Sequence, residues 1–89
     1  LEILVGINSY LHSDFKVYPN PAREVLFIEG VSAKSEVVIR NILGELVKQT
    51  SLKASGNGEM SVSDLTPGIY FIYLKNEHFK SDVLKVIIQ

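Results

Sequence analysis

The chain has 89 residues, of which 46% are hydrophobic, and its formal net charge at pH 7 is −1. This length and apolar fraction predict one domain with a core and argue against a disordered tail. The nine basic residues form no run, which argues against nucleic-acid binding, and the lack of cysteine excludes disulfides and thiolate catalysis.

The first residues differ in character from the rest. An apolar run at 1–5 reads as the tail of a preceding domain, and the mostly polar stretch at 6–14 reads as a linker. We therefore assign 1–14 to a linker and domain tail, and we expect the compact domain to occupy 15–89.

From residue 15 onward, short runs rich in valine, isoleucine and aromatic residues alternate with turn residues, as in strands. The predicted strands are 15–18, 24–29 (ended by Gly30), 36–43, 45–52, 59–63, 69–74 and a last one from 79 or 83 to 89. About seven strands, with a turn roughly every 8 to 12 residues, predict an all-β fold. The expected architecture is an immunoglobulin-like or fibronectin-like antiparallel β-sandwich.

Glycines mark the sharpest turns between these runs. Gly44 reads as a hairpin or bulge glycine. The stretch 55–58 reads as a turn, with Asn57 and Gly58 forming either a two-residue hairpin turn or part of a longer loop.

Polar and apolar residues alternate in several of the runs. Met60 and Val62 alternate with Glu59 and Ser61, as in a strand with one buried face. Other runs, at 25–28, 69–74 and 86–88, are apolar in both directions. Their second face is either covered by loops and edge side chains or docks on a partner or on another copy.

Two prolines make Tyr18-Pro19-Asn20-Pro21 the most specific stretch of the chain. Each proline fixes φ at about −65° and removes a backbone donor, and residues before proline favour extended conformations. The stretch is therefore predicted to end the first strand and turn the chain. It is either a rigid edge turn alone or an exposed rigid surface for a receptor.

A second distinctive turn precedes the strand at 69–74. The stretch 65–70 resembles the corner of immunoglobulin-like sandwiches, in which a tyrosine hydroxyl bonds backward to the main chain. We expect Leu65 to cap the core and Pro67 and Gly68 to form the turn. Tyr70 would then be a structural tyrosine whose hydroxyl is satisfied inside the domain.

No constellation of catalytic side chains is visible in the sequence. His12 and His78 lack the spacing of metal ligands, and the isolated carboxylates suggest no acid–base pair. Neither a glycine-rich phosphate loop nor a nucleophile elbow is present. We therefore expect no enzymatic activity, no cofactor and no metal.

The motifs, taken in order, resemble the C-terminal sorting domain of the type IX secretion system (Por secretion system) of Bacteroidota. The opening motif is Tyr18, Pro19, Asn20, Pro21 and Ala22; the middle motif is Gly44, Leu46 and Val47; the corner is Leu65, Gly68 and Tyr70; the terminal motif is Lys85, Val86, Ile87, Ile88 and Gln89. The resemblance covers roughly 14–89, and it implies that the opening, middle and terminal motifs serve recognition.

The resemblance implies a sandwich at the end of a secreted cargo protein that acts as a signal and not as a catalyst. The implied partners are an outer-membrane translocon, a shuttle barrel protein and a sortase that removes the domain in the linker before it. The sortase can join the cargo to an anionic surface lipopolysaccharide. The implied location is secreted, with the periplasm as transit and the cell surface or exterior as destination; no nucleic acid or small-molecule substrate is implied.

The last strand suggests how such a signal would be read. We expect it at or near a sheet edge, where 85–89 and the exposed side of 18–22 would contribute to a receptor surface. An open edge would also allow self-association. The alternative function is a fibronectin-like adhesion or carbohydrate-binding module retained on the mature protein, although the aromatic residues form no single platform for a sugar.

Overall fold

The computed structural model describes residues 15–31, 34–52, 56–77 and 79–89. The predicted linker at 1–14 and both histidines lie outside these residues, so the domain boundary stays a prediction. Within the described ranges, the regular structure is entirely β, and no helix there is long and apolar enough to cross a bilayer.

Seven strands are described: β1 (Lys16–Tyr18), β2 (Val25–Val31), β3 (Ser35–Asn41), β4 (Leu46–Leu52), β5 (Gly56–Ser61), β6 (Gly68–Lys75) and β7 (Leu84–Ile88). They form a three-stranded sheet in the order β1-β2-β5 and a four-stranded sheet in the order β4-β3-β6-β7. Every pairing between these strands is antiparallel. The predicted all-β antiparallel sandwich is therefore confirmed.

The core lies between the two sheets and follows the alternation of the strands. Leu26 and Ile28 enter it from the three-stranded sheet, while Val37, Ile39 and Ile72 enter it from the four-stranded sheet, and each of these side chains is fully buried. Because alternate side chains of a strand point to opposite faces, the residues between them form the outer faces of the sandwich.

The strand predicted at 24–29 was expected to end at Gly30, and this expectation is wrong. β2 continues to Val31, and Gly30 has a φ of 88°. The register between β2 and β5 shifts between Ile28 and Val31. Gly30 therefore lies in a β-bulge. Glycine adopts a positive φ there with little strain, and the strand bends without ending.

The turn predicted at 55–58 is also wrong for its described part, because β5 begins at Gly56 and includes Asn57 and Gly58. Gly58 lies opposite Ile28 in the three-stranded sheet. A Cβ atom at Gly58 would overlap the Cδ2 atom of Leu52 on β4. The glycine therefore permits a close approach of a core side chain to the strand, which is the other use of glycine in sheets.

This contact predicts a coupling between Gly58 and Leu52. We expect Gly58→Ala to lower the free energy of unfolding by about 1–3 kcal/mol, because the added methyl crowds Leu52. Leu52→Ala is expected to cost about 2–5 kcal/mol by leaving a cavity. Denaturant unfolding of the double variant should show a loss smaller than the sum of the two, since the added methyl fills part of that cavity. Strict additivity would contradict this account of Gly58.

Candidate recognition site

The opening segment, residues 18–22, lies along the outer edge of β7. The side-chain amide of Asn20 makes two hydrogen bonds to this strand. Its Nδ2 donates to the main-chain oxygen of Lys85 at 3.1 Å, and its Oδ1 accepts from the main-chain N–H of Ile87 at 2.9 Å. One amide side chain thus supplies the donor and the acceptor that a neighbouring strand would supply.

The main chain of Ala22 continues this pairing toward the chain end. The N–H of Ala22 donates to the oxygen of Ile87 at 2.9 Å, and the N–H of Gln89 donates to the oxygen of Ala22 at 2.8 Å. Ala22 and Ile88 form a parallel bridge, and the Ala22 side chain is buried. Because Pro19 and Pro21 carry no N–H, Asn20 and Ala22 supply the polar groups with which the segment pairs.

This pairing corrects the expectation of an open edge on the last strand. β7 does stand at the end of the four-stranded sheet. Its outward-facing main-chain groups at Lys85, Ile87 and Gln89, however, already bond to Asn20 or Ala22. A strand added here by another chain would have to displace the opening segment, so the folded domain protects this edge against pairing.

The side chains of the terminal motif point in two directions. Val86 and Ile88 belong to the core, while Ile87 is 37% exposed on the outer face of the four-stranded sheet. Lys85 is exposed on the same outer face. Deleting the last residues would therefore damage the core and any surface at the same time, whereas changes at the outward positions probe the surface alone.

The side chain of Tyr18 lies on the outer face of the other sheet. It stacks on Phe27 with 5.6 Å between ring centroids, and its hydroxyl donates to the Glu29 carboxylate at 2.5 Å. This hydrogen bond raises the pKa of Tyr18 above its usual value. The opening motif therefore faces two ways: Tyr18 toward the three-stranded sheet and Asn20 toward β7.

The middle motif forms the hairpin between β3 and β4. The Oδ1 atom of Asn41 accepts from the N–H groups of Leu43 and Glu45, at 2.9 and 3.0 Å. Gly44 has a φ of 84° and lies in the loop of this hairpin, so of its two predicted roles, hairpin glycine or bulge glycine, the first is the one observed. Leu46 is 51% exposed, whereas Val47 packs against the core.

At the corner before β6 the predicted tyrosine bond is present, but the turn predicted at Pro67 and Gly68 is wrong. The main-chain turn lies earlier, where the N–H of Leu65 donates to the oxygen of Val62 at 3.0 Å, and Gly68 is already the first residue of β6. The hydroxyl of Tyr70 donates to the main-chain oxygen of Thr66 at 2.6 Å, and Leu65 packs against the core. A groove of about 370 Å³ separates this corner from the β3–β4 hairpin, and its walls include Ile42, Val47, Leu65, Pro67 and Tyr70. The middle motif and the corner therefore lie at the same end of the sandwich.

Sequence reasoning missed an ion pair beside this groove. The Nζ atom of Lys48 on β4 contacts both carboxylate oxygens of Asp64, at 2.8 and 2.9 Å. The hydrogen bond from Lys48 holds the pKa of Asp64 below its usual value. The two residues are sixteen positions apart, so no local charge pattern could have revealed them.

The side chains around the motifs differ from those of a metal centre. Across 15–31, 34–52, 56–77 and 79–89, no three histidine, cysteine or acidic side chains cluster as metal ligands would. The motif residues contribute main-chain bonds, apolar side chains and single charges. These features define a small antiparallel β-sandwich whose motif residues lie at one sheet edge, at one hairpin and on the outer faces.

A family model described as "Secretion system C-terminal sorting domain" matches residues 16–89. The chain belongs to this family, the C-terminal sorting domains of type IX secretion. Membership implies a secreted protein that is exported across the outer membrane, and the family is one of sorting signals, not of catalysts.

One solved structure similar to the chain is "Biofilm associated protein - BSP domain", with a TM-score of 0.65 and 18% sequence identity. The match covers 92% of this chain and 15% of that chain. At this identity the likeness shows the fold alone. No curated protein matches the sequence.

The pairing of the opening segment with β7 gives a direct stability prediction. We expect Asn20→Ala to lower the free energy of unfolding by about 1–3 kcal/mol, because two hydrogen bonds of about 0.5–1.5 kcal/mol each are lost. The matched control is Asn57→Ala, since the exposed Asn57 side chain makes no hydrogen bond to another described residue. Urea unfolding that finds the two variants equally stable would contradict the role given to Asn20.

Proposed function

We propose that this chain is the C-terminal signal that carries a cargo protein through the type IX secretion system to the cell surface or the exterior. Family membership over 16–89 supports the secretion signal. The observation that carries the proposal furthest is the bonding of the opening motif to the terminal motif through Asn20 and Ala22. Two motifs from opposite ends of the domain thereby form one folded unit.

A signal of this kind is complete only when the whole domain has been made and folded. The bonds between Asn20 and β7 join residues that are 65 and 67 positions apart. A truncated or unfolded domain lacks these hydrogen bonds. The signal is therefore read as a shape, and cargo becomes eligible for export only after its C-terminal domain has folded.

The proposed partners are an outer-membrane translocon, a shuttle barrel protein and a sortase. The family supports the first step, which is export. For the later steps we propose that the sortase cuts within 6–14 and joins the cargo to an anionic surface lipopolysaccharide. The polar composition of 6–14, directly before the matched domain, supports this position for the cut.

The adhesion or carbohydrate-binding alternative gains no support of its own. The likeness to the biofilm associated protein concerns the fold. The exposed aromatic side chains Tyr18 and Phe27 stack on the outer face of the three-stranded sheet, while Phe71 and Tyr73 belong to the other sheet. A broad aromatic platform for sugars is therefore not formed by these four rings.

A reporter fusion tests the proposed function. A periplasm-targeted fluorescent protein is placed before the chain in a host with a working type IX system and in an otherwise identical strain without the translocon. We expect the fusion outside the first strain and in the periplasm of the second. The matched control is the same reporter before a fibronectin type III domain, which has a similar fold and lacks the opening motif.

This experiment tests the sorting function and the sortase cut independently of each other. Retention of the fusion in the competent strain, or equal export of the control, would refute the sorting function. Mass spectrometry of the exported reporter then tests the sortase step, for which we expect a cut between residues 6 and 14. A cut inside 15–89, or an uncut exported fusion, would refute that step and leave the sorting function standing.

A further inference from the structure

The outer face of the four-stranded sheet carries apolar and cationic side chains near the chain end. On β6 and β7, Tyr70, Ile72 and Val86 point into the core, so the residues between them point outward. We call six outward side chains from all four strands the cation–apolar patch. They are Arg40, Leu46, Ile69, Phe71, Lys85 and Ile87.

The strand register brings these side chains into two rows. In the first row, Leu46 lies opposite Arg40, Arg40 opposite Phe71, and Phe71 opposite Lys85. In the second row, Ile69 lies opposite Ile87. A half-buried aromatic ring thus stands between two cations, beside a pair of isoleucines.

The apolar members of the patch are open to solvent. Leu46 is 51% exposed, Ile69 43% and Ile87 37%. Directly opposed side chains in a sheet are close enough to form a continuous surface. Exposed apolar area of this kind, bordered by polar groups, is typical of interaction sites.

The cations of this face lack carboxylate partners among the described residues. Arg40 donates from Nε to the Tyr73 hydroxyl at 3.1 Å and from Nη1 to the oxygen of Gly44 at 3.0 Å, and both acceptors are uncharged. Lys80 lies over the Tyr73 ring at 4.5 Å from its centroid. In the described part of the chain, neither Arg40 nor Lys85 takes part in an ion pair.

We propose that the cation–apolar patch docks a protein segment in which two carboxylates bracket an apolar side chain. This rests on the proposed function, because the partner is the component of the export machinery that reads the folded signal. Adjacent strands are about 4.8 Å apart, so Arg40 and Lys85 stand about 10 Å apart across Phe71. The bound carboxylates would pair with these cations, and the apolar side chain would cover Phe71, Ile69 and Ile87.

Charge disfavours a second copy of this chain as the occupant. If the patches of two copies faced each other, Arg40 and Lys85 of one copy would lie against Arg40 and Lys85 of the other, and the like charges would repel. Seating the patch on the three-stranded sheet of a second copy would make a head-to-tail contact, which builds a ring or an open-ended chain of molecules, and there Glu29 is already bonded to Tyr18. An anionic membrane is disfavoured because membrane-binding surfaces use clusters of about four to eight cations, whereas the patch itself holds only Arg40 and Lys85, and its sheet face also carries the Glu36 carboxylate.

Photo-crosslinking during export tests the patch. A photoreactive phenylalanine analogue replaces Ile69 in the reporter fusion, or replaces Phe27 as the control. Phe27 is 41% exposed on the opposite face. We expect an adduct from position 69 and about a tenfold weaker one from position 27. Mass spectrometry should place the adduct on a protein segment with at least two carboxylates near an apolar residue.

The charge of Lys85 is tested by substitution. We expect Lys85→Glu to lower the crosslink yield at position 69 and the export rate about tenfold, while Lys85→Arg retains both. Lys34→Glu makes the same charge change at the other end of the sheet, just before β3, and should have no effect. Thermal unfolding of each full chain checks that Lys85, an exposed residue, is not required for folding.

The outcomes separate the two proposals. If the unsubstituted fusion is not exported, the proposed function fails. If it is exported but Lys85→Glu is exported and crosslinked equally well, only the docking surface is refuted. Adducts to lipid, to a second copy or to an uncharged segment, or equal adducts from position 27, would also refute the docking surface.

Discussion

The fold depends on the bonding between the opening segment and the last strand. A sandwich built from one three-stranded and one four-stranded sheet has edges that must be closed. Asn20 and Ala22 close the edge of β7 with four hydrogen bonds, of which two come from a side chain. The same bonds link the beginning of the described domain to its end, so the two sheets are joined at this edge by the chain itself.

This closure determines which surfaces remain for recognition. With the edge of β7 occupied, a partner meets the outer faces of the sheets and the β3–β4 hairpin. The faces differ in charge: Tyr18 and Phe27 stand beside Glu29 on one face, and Phe71 stands between Arg40 and Lys85 on the other. Because the two faces differ in this way, the proposed docking surface belongs to one side of the domain only.

Much of the fold could be predicted because strands leave a local pattern. Alternation at Met60 and Val62, and the tyrosine corner ending at Tyr70, depend on residues that are neighbours in sequence. The glycines were harder, because glycine serves turns, bulges and close approaches alike. For Gly44 the hairpin, one of two predicted roles, is the one observed. Gly58 was predicted in a turn but lies within a strand, where its lack of a Cβ atom leaves room for the Leu52 side chain.

The candidate site was less predictable, because its contacts join distant residues. The sequence marked both the opening and the terminal motif, but nothing local shows that the Asn20 side chain bonds to main-chain groups more than sixty positions away. The register that places Phe71 between Arg40 and Lys85 likewise follows from three paired strands.

The closure of the β7 edge is tested most directly by amide hydrogen exchange of the whole chain, followed residue by residue by NMR. If the edge is closed, the amides of Ile87 and Gln89 should exchange as slowly as the amide of Val86, which faces β6. If the amides of Ile87 and Gln89 exchange as fast as those of an unstructured peptide while the Val86 amide stays protected, the edge is open and the closure is contradicted.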